Sequence, residues 1–266
     1  MCEPQALQAA LAIAPLADTS QRLSYGTAGF RTSSSDPRLR CACLRAGIAA
    51  AALSALSGSL VSGGVITASH NPPEDNGIKL VSPSGGSPDS AFEAAVEALA
   101  NAPDSSDAVQ YALSLFPQNF GNNNAPRPFV LVGRDTRASG PALRSLFVSG
   151  AQSVGARVLD LGQTTTPELH FAVLQRNSRL ASLNSIDVAE DERQRCIHKS
   201  LYLRSMCDGF SHLFSLGGTS LAYPALIVDC ANGIGAHRIS DILNEQPLSQ
   251  AVRAHPRGIL SSSYHS

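Results

Sequence analysis

The chain has 266 residues, of which 43% are hydrophobic and 15% charged, and its net charge is −1. This composition is typical of a globular protein with one large or two ordinary domains. A charge near zero gives no general attraction to nucleic acid or to an anionic membrane. Trp is absent and aromatic residues make up only 5%, so platforms for stacking bases are not expected. We therefore expect no nucleic-acid partner.

The N-terminus and the cysteines indicate the compartment. Glu3 and the lack of an early Lys or Arg are not typical of a signal peptide. No apolar run is expected to reach the roughly 18–20 residues of a membrane span. The six cysteines form no CxxC pair and no zinc-type spacing with histidine, so we expect reduced thiols. These features predict a cytoplasmic protein without a membrane partner.

The first half of the chain predicts helices that alternate with strands. In chain order these are a short helix on Leu7 and Leu11, a helix over 39–60, strands over 63–67 and 78–81, and a helix after Ser87. Asp75, Asn76 and Gly77 are expected to form the tight turn between the two strands. Ser87 is the expected N-cap of the last helix and Pro88 its first residue. The Asn- and Pro-rich stretch 114–128 predicts a surface loop.

The second half repeats the alternation. Its predicted elements are a strand over 129–132, a helix over about 141–154, a strand over 157–161, a helix capped by Thr166, a helix over 201–216, a strand over 225–229 and a helix over 237–246. The polar stretch 176–200 predicts a boundary. This order favours an α/β fold with a mixed sheet between helices. We expect a first domain over 1–190, part of a second, similar domain over 191–246, and an unassigned tail over 247–266.

The segment TASHNPPEDNGIK, residues 67–79, stands out within this pattern. Its Ser, Asn, Pro, Asp and Gly residues are turn formers, so an ordinary loop explains the composition. A serine can also carry a phosphoryl group, and a nearby lysine can balance its charge or handle a proton. Phosphoryl transfer requires chiefly positioning and charge neutralisation, and a stiff loop provides the first. The residues alone leave both interpretations open.

Five segments, in order, resemble the α-D-phosphohexomutase superfamily. They are YGTAGFR at 25–31, TASHNPPEDNGIKLV at 67–81, VGRDTR at 132–137, DLGQTTTPELH at 160–170 and VDCANGIGA at 228–236. TASHNP alone is also typical of phosphoglucomutases and phosphomannomutases. The Glu-Asp-Asn-Gly continuation and the Tyr-Gly-Thr-Ala-Gly-Phe-Arg segment favour the branch that acts on acetylglucosamine phosphates.

The resemblance implies an isomerase that moves phosphate between the 6- and 1-positions of a hexosamine through a bisphosphorylated sugar. Ser69 matches the serine that carries the phosphoryl group and contacts a Mg²⁺ ion. Lys79 matches a lysine that assists proton transfer or neutralises charge, and Arg31 matches an arginine near the phosphoserine. His70 and Asn71 match residues that shape the site. Hexosamine phosphate and hexosamine bisphosphate are the implied ligands, and UDP-N-acetylglucosamine biosynthesis is the implied pathway.

Several of these residues also have a purely structural interpretation. Asn71 is expected to hold the loop by side-chain hydrogen bonds rather than to touch sugar, and His70 fits phosphate contact and loop packing equally. Arg134, Asp135 and Arg137 are expected to form structural ion pairs. The segment VDCANGIGA lacks a third glycine at the spacing of a dinucleotide site, so its glycines are expected to turn the backbone from strand to helix.

The sequence also departs from the superfamily pattern. A DxDxDR-type metal loop, a sugar-recognition loop and an Arg-Pro-Ser-Gly-Thr-like phosphate loop are not found in the chain. We therefore expect an apparently truncated mutase whose activity alone is doubtful. The alternatives are a catalytically dead fragment or binding domain of the same superfamily, and a phosphoglucomutase or phosphomannomutase.

Overall fold

A computed structural model of the protein describes residues 4–16, 20–103, 105–118, 120–121, 126–180, 191–217, 227–244 and 260–261. The chain divides into two compact units, Met1–Ile186 and Asp187–Ser266.

The first unit contains six helices and five strands within the described residues. In chain order they are α1 (Pro4–Leu11), β1 (Phe30–Ser33), α2 (Pro37–Leu56), β2 (Ser62–Ile66), β3 (Asp75–Val81), α3 (Ser90–Ala100), α4 (Ser105–Ser114), β4 (Phe129–Arg134), α5 (Gly140–Ser153), β5 (Arg157–Gln163) and α6 (Thr166–Leu180).

The five strands form one mixed sheet in the order β1-β3-β2-β4-β5. β3 pairs antiparallel with β1 and with β2, whereas β2, β4 and β5 run parallel. The parallel strands are connected through helices, as parallel pairing requires. The sequence-based prediction of a mixed sheet between helices is confirmed.

Helices cover both faces of the sheet, and each face has its own apolar core. The larger core joins α2 and α5 to inward residues of the strands such as Ile66, Ile78 and Val130. The smaller core joins Leu169 and Val173 of α6 to the opposite face. Because side chains alternate along a strand, the side chains of neighbouring β2 residues pack into different cores.

The helix α2 is the central helix of the larger core. Contrary to the sequence-based expectation, its 20 residues are long and apolar enough for a membrane span, but 83% of the apolar window is buried inside the fold. It crosses α5 closely at two glycines: a Cβ on Gly47 would lie 2.0 Å from the Phe147 carbonyl oxygen, and one on Gly150 would lie 1.9 Å from that of Leu44. Since no side chain fits there, both positions require glycine for the helices to pack.

The prediction of a turn at Asp75, Asn76 and Gly77 is wrong. These residues are the first three of β3 and pair with Ser33, Thr32 and Arg31 of β1. The chain instead turns at Pro72–Asp75, where the Asp75 amide donates to the Pro72 carbonyl oxygen at 3.1 Å. Pro73 then occupies the second position of the turn, which its fixed φ favours.

The expected helix caps near Ser87 and Thr166 are each displaced. α3 begins after Asp89, whose carboxylate accepts from the Phe92 amide at 2.8 Å. At α6 the capping residue is Thr165, because its hydroxyl accepts from the Glu168 amide while Glu168 accepts from the Thr165 amide. This reciprocal pair is a capping box. The sequence analysis also did not identify α4.

The second unit contains α7 (Asp191–Gly217), β6 (Ile227–Val228), α8 (Gly235–Asn244) and β7 (Leu260–Ser261) among its described residues. The predicted helices over 201–216 and 237–246 and the strand over 225–229 correspond to the first three. β7, which lies in the tail expected to have no element, pairs parallel with β6. Most of the tail over 247–266 lies outside the described residues.

Candidate functional site

Ser69 lies in the loop that joins the antiparallel strands β2 and β3, which we call the serine loop (residues 67–74). The loop contains two successive β-turns. The Asn71 amide closes the first on the Ala68 carbonyl oxygen at 2.7 Å, and the Asp75 amide closes the second on that of Pro72. Ser69 and His70 occupy the middle of the first turn, and both are exposed. The hydroxyl of Ser69 therefore projects from a fixed backbone into solvent.

Asn71 connects the serine loop to β1. Its Oδ1 accepts a hydrogen bond from Nη1 of Arg31 at 2.9 Å, and its Nδ2 donates to Oδ2 of Asp75 at 2.8 Å. Both polar atoms of the Asn71 side chain thus bind protein. The Nε of Arg31 is buried and has no hydrogen-bond partner among the described residues. The half-buried Arg31 guanidinium thus keeps one donor that the described part of the protein does not use, and a guanidinium donor suits an anion.

Arg31 and Lys79 point from the same face of the sheet. Arg31 is paired with Gly77, and Lys79 lies two residues further along β3. Residues two apart on a strand share a face, and so do directly paired residues. The structure thus brings the two expected cations to one face.

That face is the one covered by α6. His170 of α6 holds the loop after β3, since its Nδ1 lies 2.7 Å from the Gly85 carbonyl oxygen and must donate to it. Burial lowers the pKa of His170, the hydrogen bond to Gly85 raises it, and the charge of Lys79 lowers it further. The charged form of His170 is therefore disfavoured beside this lysine.

Asp135 and Arg137 follow β4 and bind the serine loop. Because β2 and β4 are parallel with Ile66 opposite Arg134, Thr67 and Asp135 lie side by side at the ends of their strands. The Thr67 hydroxyl donates to Oδ2 of Asp135 at 2.7 Å, and Nε of Arg137 lies 3.2 Å from the same oxygen. The expected ion pair is present for Asp135 and Arg137, whereas Arg134 donates to the backbone oxygen of Asp135.

A Mg²⁺ ion is not held by the described residues on their own. Mg²⁺ takes about six oxygen ligands in near-octahedral geometry. No group of three His, Cys, Asp or Glu side chains suited to a metal occurs in the part of the chain that is described. Of the carboxylates in or next to the serine loop, those of Asp75 and Asp135 already accept hydrogen bonds from Asn71 and Arg137, and that of Glu74 is exposed. Ser69 could bring one oxygen to an ion whose other ligands lie elsewhere.

The sequence analysis missed two contributions to this site. Arg137 was expected only in an ion pair, and His170 was given no role. The signal for Arg137 was its place just after a strand predicted to be parallel, since the carboxyl ends of parallel strands lie along one edge. No comparable signal marked His170.

Comparison with known proteins identifies the class to which this domain belongs. Residues 43–107 and 108–183 match the family described as phosphoglucomutase/phosphomannomutase, alpha/beta/alpha domain I. The chain belongs to this family, and the resemblance to α-D-phosphohexomutases found in the sequence is confirmed.

The similar relatives are phosphoacetylglucosamine mutases. The phosphoacetylglucosamine mutase of Oryza sativa subsp. japonica is 36% identical over 229 residues, which are 83% of this chain and 37% of the relative. That of Saccharomyces cerevisiae is 36% identical over 231 residues, 84% of this chain and 40% of the relative. This chain therefore spans about two fifths of the length of these relatives.

Solved structures agree in fold. An N-acetylglucosamine-phosphate mutase of the α-D-phosphohexomutase superfamily, in its substrate complex, has a TM-score of 0.75 at 27% identity, covering 97% of this chain and 44% of that one. The Aspergillus fumigatus N-acetylphosphoglucosamine mutase in complex with GlcNAc-6P and magnesium has a TM-score of 0.71 at 26% identity, with the same coverage. A serine-to-alanine variant from Aspergillus fumigatus in complex with glucose 1,6-bisphosphate has a TM-score of 0.75 at 26% identity, again with the same coverage.

Proposed function

We propose that this chain is the phosphoserine-bearing part of a phosphosugar mutase that interconverts N-acetylglucosamine 6-phosphate and 1-phosphate. The observation that carries the proposal is the serine loop. It presents the exposed Ser69 on two hydrogen-bonded turns, and Arg31 lies beside it with an unused Nε donor. The similarity to phosphoacetylglucosamine mutases supports the choice of sugar.

The chemistry assigned to this chain is carriage of the phosphoryl group. The bond between Ser69 Oγ and phosphorus breaks, a bond between phosphorus and a sugar hydroxyl oxygen forms, and the serine oxygen ends protonated as the sugar hydroxyl loses its proton. A phosphoserine carries a charge of about −1.5 to −2 at neutral pH. Arg31 and Lys79 together bring two positive charges to the face on which they both lie. Asn71 fixes the orientation of Arg31, and His70 lies next to the phosphoserine as a phosphate contact.

The ligands and the cofactor of the proposed enzyme are inferred from the similar solved structures. One solved neighbour is in complex with GlcNAc-6P and magnesium and another with glucose 1,6-bisphosphate. Hexosamine phosphate and hexosamine bisphosphate are accordingly the proposed ligands, and Mg²⁺ is the proposed cofactor of the complete enzyme. None of the steps assigned to this chain runs through the ion. A role in UDP-N-acetylglucosamine biosynthesis in the cytoplasm is part of the proposal and rests on the sequence alone.

The test is transfer of a labelled phosphoryl group to the chain. Purified protein is incubated for hours with Mg²⁺ and ³²P-labelled glucose 1,6-bisphosphate, because a single transfer is detectable at rates far too slow for turnover. The modified residue is located by mass spectrometry. We expect one phosphate on Ser69 and none on the Ser69→Ala variant. Label on another residue, or equal labelling of both proteins, contradicts the proposal and favours a catalytically dead or binding domain of the same superfamily.

A chimera tests the substrate. The segment of this chain that matches Saccharomyces cerevisiae phosphoacetylglucosamine mutase replaces the corresponding part of that enzyme. We expect turnover of N-acetylglucosamine 6-phosphate that the Ser69→Ala chimera lacks. A chimera that prefers glucose or mannose phosphates identifies the alternative phosphoglucomutase or phosphomannomutase activity.

A further inference from the structure

The geometry points to Arg137 as the positioning residue of the phosphoryl-carrying serine: its guanidinium fixes the backbone of the serine loop and thereby sets where Ser69 Oγ lies during transfer. This inference rests on the proposed function. Arg137 itself contacts the loop backbone, and the structure gives it no contact with the Ser69 side chain.

Every N–H donor of the Arg137 guanidinium has a partner. Nη2 donates to the carbonyl oxygens of Ala68 at 3.0 Å and Asn71 at 2.9 Å. Nη1 donates to the carbonyl oxygens of Pro72 and Asp75, the latter at 2.8 Å. Nε donates to Oδ2 of Asp135. A guanidinium has five N–H donors in one plane, and all five are used here.

The four carbonyl oxygens belong to the residues at the ends of the two β-turns of the serine loop. Ala68 and Asn71 are the first and last residues of the turn that contains Ser69, and Pro72 and Asp75 are the first and last residues of the next turn. Arg137 therefore holds both ends of both turns. A change in its position moves the two turns together, and Ser69 with them.

The positive charge of Arg137 is paired with a carboxylate of the protein. Its side chain and that of Asp135 are each only 12% exposed, and they form an ion pair with Nε and Oδ2 3.2 Å apart. Asp135 is fixed in turn by the Thr67 hydroxyl and by its own amide, which donates to the Ile66 carbonyl oxygen. Arg137 thus contributes geometry to the site, whereas Arg31 supplies the unused donor.

A lysine cannot replace this arginine. Its ammonium group has three donors and no planar fork, so at least two of the five acceptors lose their bond to residue 137. The Arg137→Lys variant keeps the charge opposite Asp135 while losing the bonds that hold the turns. The substitution therefore separates positioning of the loop from charge pairing.

The experiment compares the wild-type chain with Arg137→Lys and with a matched control, Arg144→Lys. Arg144 lies on α5 and pairs with Asp160 at 3.3 Å, with no bond to the serine loop given by the structure. Hydrogen exchange measured by mass spectrometry follows the peptide that contains residues 67–75 and, as reference, the β4 peptide. The rate of Ser69 labelling is measured as a function of glucose 1,6-bisphosphate concentration.

For Arg137→Lys we expect exchange of the serine-loop peptide to be about tenfold or more faster while β4 is unchanged, because only local opening is eased. We expect the maximal labelling rate to fall about 10²-fold, the typical effect of misplacing a reacting group by about 1 Å. The half-saturating concentration stays unchanged, because all five Arg137 donors are bonded within the protein. Arg144→Lys matches the wild type in all three measurements.

Two outcomes overturn the inference: wild-type exchange of the loop in Arg137→Lys, or faster loop exchange with an unchanged labelling rate. The second outcome leaves Arg137 a structural residue only. Failure of the wild-type chain to take label on Ser69 instead overturns the proposed function, and the exchange measurement then decides by itself whether Arg137 fixes the loop.

Discussion

Arg31 donates from Nη1 to Oδ1 of Asn71 at 2.9 Å, so the arginine expected near the phosphoserine is bonded to the serine loop. The bond joins β1 to the serine loop across 40 positions of the sequence. Asn71 in turn donates a hydrogen bond to Asp75 at the start of β3. The orientation of Arg31 therefore depends on an amide side chain that is itself bonded to β3.

Replacing Asn71 by Ala removes both bonds and leaves the Arg31 guanidinium with less support. We expect the free energy of unfolding of the first unit to fall by about 1–3 kcal/mol, the range for hydrogen bonds that involve a charged partner. The measurement is urea-dependent hydrogen exchange of the α2 and β4 peptides, which reports the first unit separately. The control is His70→Ala, an exposed neighbour expected to change stability by no more than about 0.5 kcal/mol. Equal losses in the two variants contradict the prediction.

The sequence was sufficient to predict the helices and strands that depend on a local pattern of apolar residues. The Ala-rich run gave α2, and the β-branched runs gave β2 and β4, because apolar periodicity determines which faces are buried. It was not sufficient for Asp75, Asn76 and Gly77, which are turn formers locally. Pairing with β1, about forty positions away, makes them a strand, as tertiary context often overrides propensity.

The same limit applies to the candidate site. Ser69 and its neighbours were found because they lie in one short motif. Arg137 was not recognised as part of the loop because its contacts exist only once β2 and β4 pair in parallel. Its four acceptors are backbone carbonyl oxygens, and since every residue has one, the amino-acid sequence does not indicate which of them Arg137 binds.

Lys79 is expected to assist transfer without being essential. Lys79→Ala should slow labelling of Ser69 by about 10²-fold, a typical contribution of one proton-transfer or charge-stabilising group. Ser69→Ala should abolish labelling altogether. Lys79→Arg, which keeps the charge, tests whether charge alone suffices, and it should label faster than Lys79→Ala. A wild-type rate in Lys79→Ala would exclude a role for this residue.

The 266-residue chain alone should show no appreciable turnover of N-acetylglucosamine 6-phosphate with Mg²⁺. The sequence has no DxDxDR-type loop and no Arg-Pro-Ser-Gly-Thr-like loop. Each such electrostatic element contributes about 10²-fold or more to a rate, so losing several is nearly fatal. Product formation is followed by a coupled assay. A kcat within the ordinary range of about 1–10³ per second would contradict this expectation.

His170 should make the first unit less stable in acid. Its pKa is lowered from 6.5 in the fold, so the unfolded chain binds its proton first as the pH falls. The stability associated with neutral His170 is therefore complete above pH 6.5 and is lost as the pH falls through 6.5 toward the folded pKa. His170→Asn keeps a donor near the position of Nδ1 and does not titrate. We expect the stability difference between wild type and this variant to be constant above pH 6.5 and to shift against the wild type below it. A difference independent of pH from 8 to 5 would show that His170 does not titrate differently in the two states.

Arg45 should be a principal determinant of stability in the larger core. It is only 2% exposed, and its Nη1 donates to the carbonyl oxygens of Leu99 at 2.8 Å, Ala100 at 3.2 Å and Ala102 at 2.8 Å. The oxygens of Leu99 and Ala100 lie at the end of α3, where helix carbonyls have no partner further along the helix, and that of Ala102 lies two residues beyond it. A cation at a helix C-terminus is also favoured by the helix dipole.

Arg45→Met keeps much of the apolar stem and removes the guanidinium donor from the three carbonyl oxygens, of which only that of Leu99 is shown to keep an amide donor, from Ala102. We expect a loss of about 2–4 kcal/mol in the free energy of unfolding of the first unit. The control is Arg40→Met on the same helix, an exposed position that should change stability by no more than about 0.5 kcal/mol. Urea-dependent exchange of the α2 and β4 peptides gives both values. Should Arg45→Met fail to fold, Arg45→Lys, which keeps a charge and three donors, is expected to fall between it and the wild type. A stability of Arg45→Met equal to that of Arg40→Met would show that the end of α3 does not depend on this arginine.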